Sequence, residues 1–366
     1  METEEHIAEQ VIAKYLRKGN MSRCLRDILP TTQLTKQQRE TVADIVHDVV
    51  RWKKLYDFLL EKNGEEKNPQ RYVQCVFEKA SENVQDLPSD YRYSCSSYVA
   101  SLLEKKVAWA EYLNQKPPTT LCVNFNKSTR KEVEHILKEE GLPTEESTIE
   151  TALRTTSIGR YSSAVKNNLA HVQDESSQLI SVLTESLGDS ILDYCAGNGG
   201  KSLTIASLSR NQKKLSAFEI NPKKRLILEQ RCKQNNALVT IEQEIPQKNY
   251  DVVLVDAPCS GLGVARRNPE AKYIENAGEY PAIQLKILEE ATHHLASGGT
   301  LVYSVCTFTP EETKEVVKQF SRSSGLTSSS LEKSPYHHVL EQHTYGSFTK
   351  IPEGDIFFVS LLKKKK

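Results

Sequence analysis

Ile7, Ala8, Val11, Ile12, Tyr15 and Leu16 recur at intervals of three and four residues, the spacing that lines one face of a helix. Val42, Ile45, Val46, Val49, Leu55 and Leu59 repeat the pattern over a longer segment that Gly64 can stop. Stretches rich in Asn, Gln, Pro and Ser separate further helical segments, so residues 1–115 read as an all-helical region. Pro117-Pro118 then mark a change of texture. A strand is predicted over 120–125, a helix over 129–140 ended by Gly141, and short strands to about residue 165. Residues 116–175 thus form a small α/β module.

Beyond it, apolar runs alternate with helical segments. Strands are predicted at 190–194, 214–220, 238–241, 250–255, 300–304 and 355–362, with a helix at 284–295 among the intervening ones. Such alternation implies a mostly parallel sheet covered by helices on both faces. Residues 176–366 are therefore expected to form a Rossmann-like α/β domain. Ligands in such sheets bind outside the carboxyl ends of the strands, which is where chemistry is to be sought.

The first of these strands runs into Asp193-Tyr194-Cys195-Ala196-Gly197-Asn198-Gly199-Gly200-Lys201-Ser202, which opens a helix. Its glycines let a cofactor approach the backbone, and free N–H groups at the helix start favour an anionic group. A P-loop needs glycine at 195, which is cysteine, and a dinucleotide fingerprint needs glycine at 202, which is serine. S-adenosylmethionine remains. Glu219 closes the second strand 22 residues after Gly197, near the offset at which ribose hydroxyls are bound.

Composition narrows the setting. With 48 basic and 48 acidic residues the formal charge is zero, so bulk charge names no partner, although a local basic groove can bind RNA on a neutral protein. No apolar run is long enough for a bilayer, and Met1-Glu2-Thr3-Glu4-Glu5-His6 resembles neither a signal nor a transit peptide. A monomeric cytoplasmic protein is expected, or a nuclear or nucleolar one in a eukaryote, with Lys363 to Lys366 a solvated tail. The eight cysteines contain no C-x-x-C pair, which argues against a metal site and for a reduced compartment.

Cys24, Cys75 and Cys232 read as small buried hydrophobes. Cys259 and Cys306 differ. The fourth strand runs into Asp256-Ala257-Pro258-Cys259-Ser260-Gly261-Leu262-Gly263, and the fifth into Tyr303-Ser304-Val305-Cys306-Thr307. Adjacent strands lie about 4.8 Å apart, so both thiols should face one cleft. Thr309-Pro310-Glu311-Glu312 reads as an N-cap, a first-turn proline and a capping-box glutamate. A helix starting there would lower the Cys306 pKa, and Arg266 and Arg267 would add to the field or hold phosphate. A thiolate added at carbon 6 of a pyrimidine makes carbon 5 nucleophilic enough to take a methyl group, which is covalent catalysis. Asp256 would support the base at N3, and a second thiol would assist release.

These segments together resemble the Sun-domain (Nol/Nop/Sun, NSUN) RNA 5-methylcytosine methyltransferases. The resemblance rests on residues 193–202, on Asp-Ala-Pro-Cys-Ser-Gly and Arg-Arg-x-Pro-Glu within 256–270, and on 303–307 with Glu311-Glu312. Gln173-Asp174-Glu175-Ser176-Ser177-Gln178 looks like the family's lead-in. It implies that Cys306 is the carbon-6 nucleophile and Cys259 the release residue. In DNA cytosine methyltransferases the roles are reversed, and Cys259 as nucleophile stays open. The resemblance further implies that Cys195, Ala196, Gly197, Asn198, Gly199, Gly200, Lys201, Glu219 and Asp256 line the S-adenosylmethionine site. Residues 116–175 would be an RNA-recognition-like module, and 1–115 is similar to a NusB-like RNA-binding domain. Asn198 stands where the family has Pro or Ala, and Cys122 where it has Arg. The family's acidic residue after the third strand is absent, and Glu242 is expected in its place near the adenine.

Seven basic residues (Lys213, Lys214, Lys223, Lys224, Arg225, Arg231, Lys233) face two acidic ones, Glu219 and Glu229, over 213–233. They form either a solvated helix face or a phosphate-binding one. The expected function is methylation of an unstacked RNA cytosine, in rRNA ahead of tRNA. The rivals are a DNA or protein methyltransferase on the same fold and a non-catalytic RNA-binding or assembly protein.

Overall fold

The computed structural model describes residues 3–80, 84–104, 106–245 and 248–364; Met1, Glu2, Lys365 and Lys366 of the terminal stretches singled out above lie outside them. The chain divides into two compact units, one of residues 1–116 and 264–276, the other of 117–263 and 277–366.

The first unit is helical: α1 (Glu4–Lys18), α2 (Met21–Ile28), α3 (Lys36–Arg51), α4 (Lys53–Lys62), α5 (Pro69–Phe77), α6 (Ser89–Arg92), α7 (Ser97–Leu103) and α8 (Val107–Leu113). The periodic residues do what their spacing predicts: Ile7, Val11, Ile12, Val42, Val46 and Val49 form its core with Tyr72 and Val73. Residues 264–276 belong to this unit although they follow a catalytic-sheet strand in sequence. Lys272 is buried there, and its Nζ donates to Arg51 O (2.8 Å), Tyr93 O (3.0 Å) and Asn114 Oδ1 (2.5 Å). Burial lowers its pKa to about 7.

The second unit holds two sheets. In chain order come β1 (Thr119–Val123), α9 (Arg130–Glu139), β2 (Thr144–Glu146), β3 (Ala152–Thr155), α10 (Ser163–Lys166) and β4 (Ala170–Val172). These strands make an antiparallel sheet of order β2-β3-β1-β4. Next are α11 (Glu175–Glu185), β5 (Ser190–Asp193), α12 (Gly200–Leu208), β6 (Lys214–Phe218), α13 (Pro222–Gln234), β7 (Thr240–Glu242) and β8 (Tyr250–Asp256). The chain ends with α14 (Tyr280–Thr292), β9 (Leu295–Val305), α15 (Lys314–Ser324), β10 (Thr327–Ser329), β11 (Leu340–His343), β12 (Gly346–Thr349) and β13 (Phe358–Lys363). The large sheet runs β11-β12-β13-β9-β8-β5-β6-β7, with β10 on β13. Its β9-β8-β5-β6-β7 core is parallel, and β13 joins antiparallel to β9.

The strand order reverses at β5, between β8 and β6, so the cleft of a doubly wound sheet opens there. The small sheet is tied to α12 and to the residue that follows α13 within this unit. Phe125 N donates to Ser207 Oγ (2.7 Å), Cys122 Sγ lies 3.5 Å from Thr204 Oγ1, and Asn124 Nδ2 donates to Asn235 O (3.0 Å). At 122 a buried thiol therefore serves the packing of module on helix.

Candidate active site

Residues at the carboxyl ends of β5, β6, β8 and β9 build the site. The loop after β5 folds back on β6: Ala196 N donates to Phe218 O (3.1 Å) and Gly197 N to Glu219 Oε2 (2.8 Å). Glu219 Oε1 accepts from Asn221 N (2.7 Å), so the carboxylate is fixed and only 7% exposed. A side chain at 197 would meet nothing within 4 Å, whereas Gly199, at φ +87°, packs so closely that a Cβ would lie 2.4 Å from Leu228 Cδ1. The loop thus leaves an open space beside a fixed carboxylate, which suits a cofactor carrying a diol. Beneath it burial raises the Asp193 pKa to about 6, against the hydrogen bond from Ser202 Oγ (2.6 Å). Burial also pushes the Cys195 thiol up.

Cys259 and Cys306 are free thiols, both partly exposed, with their sulfurs 3.3 Å apart. Parallel pairing sets this distance, because Asp256 of β8 lies opposite Ser304 of β9 and the two chains turn out of the sheet together. Lys201, from the first turn of α12, reaches across β5 to Asp256 Oδ2 (2.5 Å). Burial opposes the charge on Lys201, but Asp256, with Cys306 and Asp193, raises the pKa. For Cys306 the hydrogen bond with Cys259, then burial, raise the thiol pKa well above its ordinary value; Asp256 adds to this and Lys201 opposes it.

This reverses the expectation of an acidic Cys306. Residues 310–313 form a turn and α15 starts only at Lys314. Glu312 closes no capping box. Its Oε1 accepts from Thr309 Oγ1 (2.9 Å) and Ser260 Oγ, and its Oε2 from Ser260 N (2.9 Å) and Gln284 Nε2 (3.0 Å). Fully buried, this carboxylate binds the loop of Cys259 to the loop of Cys306. Gly263 adds a second tie: its N donates to Cys306 O (2.9 Å) and its O accepts from Ile356 N (3.0 Å). Glu312, Ser260, Gln284 and Gly263 were not foreseen as site residues. Glu312 was visible as part of a motif, but no spacing links it to Ser260 or to Gln284 in mid-helix.

Other expected residues fall elsewhere. Arg266 and Arg267 belong to the first unit. Arg266 is 1% exposed, donates to Tyr112 Oη and Lys116 O (3.3 Å), and stacks on the Tyr112 ring at 4.1 Å. A guanidinium so enclosed holds structure together and offers no edge to a phosphate, which corrects the expectation for Arg266; Arg267 is half-buried. Glu242 is likewise engaged within the sheet, accepting from Ser216 Oγ (3.0 Å) and lying 3.6 Å from Lys248 Nζ. Of the basic run, Lys214, Lys223, Lys224 and Lys233 are exposed. Lys213 pairs with Glu185 (3.0 Å), Arg225 donates to Glu219 O (3.1 Å) and Arg231 to Asn198 O (2.8 Å). Among the described residues no cluster of His, Cys, Asp and Glu could hold a metal, and no helix is long and apolar enough to cross a membrane.

Comparison with known proteins agrees with this architecture. The whole chain superposes on the crystal structure of PH0851 with a TM-score of 0.79 at 20% identity, covering 99% of that chain. A methyltransferase homolog from Pyrococcus horikoshii matches 75% of the chain and 97% of its own, with a TM-score of 0.61 at 20% identity. In sequence, a probable ribosomal RNA small subunit methyltransferase B from Bacillus subtilis is 34% identical over 221 residues, 56% of this chain and 49% of its own. The chain thus spans about half the length of that relative. The ribosomal RNA small subunit methyltransferase B of Escherichia coli is 31% identical over 298 residues, 76% of this chain and 68% of its own. Residues 180–363 match the family described as 16S rRNA methyltransferase RsmB/F, and the chain belongs to that family.

Proposed function

We propose that this protein methylates carbon 5 of cytosine in RNA, using S-adenosylmethionine, with rRNA its substrate ahead of tRNA. The single observation that carries this reading is the pair of thiols 3.3 Å apart beside the Lys201–Asp256 pair at the carboxyl edge of the sheet. Protein methylation has no use for two thiols there. The names of the sequence relatives support rRNA.

The cofactor fits the residues present: Glu219 would take the ribose hydroxyls and the backbone of 195–200 would hold the nucleoside. When bound it supplies an electrophilic methyl group. Cys306, its proton lost to solvent, adds through Sγ to carbon 6 of the base while N3 takes a proton held by the Lys201–Asp256 pair. The 5,6 electrons are then available at carbon 5, which acquires the methyl group. Cys259, as thiolate, removes the carbon-5 proton; the C–H electrons restore the double bond, Cys306 leaves as thiolate, and N3 returns its proton.

Wild type, Cys259→Ala and Cys306→Ala are incubated with RNA and methyl-labelled cofactor and run on denaturing gels. A trapped protein–RNA adduct is expected for Cys259→Ala, and neither adduct nor product for Cys306→Ala. Full activity of Cys306→Ala would overturn the mechanism, and an adduct in Cys306→Ala alone would exchange the two roles. A wild type that binds RNA but yields no product would favour the non-catalytic assembly role.

A further inference from the structure

Helix α13 turns one face toward the loop after β5. Arg225, Leu228 and Arg231 stand three residues apart and so share a face of the helix. Each touches a part of the candidate cofactor site. Arg225 donates to the carbonyl of Glu219 (3.1 Å), Leu228 fills the space that a side chain at 199 would need, and Arg231 donates to the carbonyl of Asn198 (2.8 Å). Lys223, Lys224 and Lys233 are exposed, so the basic run divides between two faces with different work.

Arg231 is half-buried, and among the described residues no carboxylate lies within ion-pair distance of it. Its neighbours are Cys122 and Cys232, which bear on its charge, and His171, on which its own charge acts. Burial lowers its pKa. A guanidinium held in such surroundings for one carbonyl is costly, and a purely solvated face would not hold it there. Gln173 lies 3.9 Å from the position of a Cβ at Gly200. It accepts from Thr204 Oγ1 (2.6 Å) and is bonded to His171 Nε2 (2.9 Å).

We infer that Arg231 is a positioning residue that fixes the Asn198 carbonyl, and with it the loop 196–200, in the conformation that receives the nucleoside cofactor. The inference rests on the reading of this loop as the cofactor site. Loss of one charge-assisted hydrogen bond is expected to weaken S-adenosylmethionine binding about tenfold.

The test compares wild type, Arg231→Met and Arg231→Lys. Calorimetry reads affinity for S-adenosylmethionine, hydrogen exchange of the cofactor-free protein reads residues 196–200, and thermal melting reads the fold. Arg231→Met should bind about tenfold more weakly and exchange faster at 196–200. At saturating cofactor its kcat should stay within about twofold, so the defect lies in KM. Arg231→Lys, which keeps a cationic donor, should recover most of the affinity. Wild-type affinity in Arg231→Met would overturn the inference, as would an Arg231→Lys as weak as Arg231→Met; if Arg231→Met melts early, Arg231→Lys decides by the same criterion. A wild type that does not bind the cofactor would refute the functional reading, while the exchange at 196–200 would still judge the role of Arg231.

Discussion

Around Cys306, the contact with Cys259 and burial both favour the protonated thiol, and Lys201 alone among its named neighbours opposes them. Removing the Cys259 thiol removes the largest of these causes. Cys259→Ala should therefore lower the Cys306 pKa, so that iodoacetamide alkylates Cys306 faster near neutral pH than in wild type, followed by peptide mass spectrometry. An unchanged alkylation rate would show that Cys259 does not control the nucleophile. Glu312 supports the same pair from behind. In Glu312→Leu the apolar side chain leaves Ser260 N and Gln284 Nε2 without the carboxylate that accepts from them. A buried donor left without an acceptor costs about 1–3 kcal/mol. The variant should lose at least tenfold in kcat while its affinity for S-adenosylmethionine, read by calorimetry, stays within about twofold.

At the scale of elements, the parallel pairing of β8 with β9 decides which residues meet. Strands 190–194, 250–255 and 300–304 were legible because apolar runs bounded by polar turns survive in the sequence, and the observed β5, β8 and β9 contain most of each. The start of α15 was not legible. Thr309 and Glu312 carry the letters of a capping box, but Glu312 is drawn instead to Ser260 and Gln284, and the helix is delayed to Lys314. Strands β10, β11 and β12 also escaped, since short edge strands carry little periodicity. Gly263 illustrates a further limit. Its backbone φ gives no hint, yet a Cβ would stand 1.9 Å from Ile356 O and 3.0 Å from Cys306 O. Gly263→Ala must displace backbone on both sides. Overpacking of this kind costs about 1–3 kcal/mol or more, so the variant should melt several degrees early and lose the adduct in a Cys259→Ala background. Melting and adduct formation unchanged from Cys259→Ala alone would show that this approach does not hold Cys306.

For the molecule as a whole, His171 and Asp193 tie stability to pH below 7. His171 keeps a pKa of about 4, lowered from 6.5 by burial and then by Arg231. The unfolded chain therefore binds more protons than the folded one between these values, and folding stability is lost as pH falls from 6.5 toward 4. The full effect is on the order of 3 kcal/mol. Asp193, raised to about 6, acts in the opposite sense between 3.8 and 6, so comparison with a His171→Gln variant isolates the histidine. The difference in urea stability between wild type and variant should shrink by a few kcal/mol from pH 7 to pH 4.5; a constant difference would mean that His171 does not titrate as inferred. Alternating strands and helices, the glycine loop, Glu219 at its offset and cysteines at two strand ends were all determined by the sequence, because local periodicity and short motifs fix the sheet and what stands at its edge. Only the tertiary structure decided that residues 264–276 leave the catalytic unit and take Arg266 with them, and that the two sulfurs come within contact. It decided too that Glu312 binds their loops and Arg231 turns inward, because each depends on which distant backbone and side chains meet it, and no spacing along the chain encodes that.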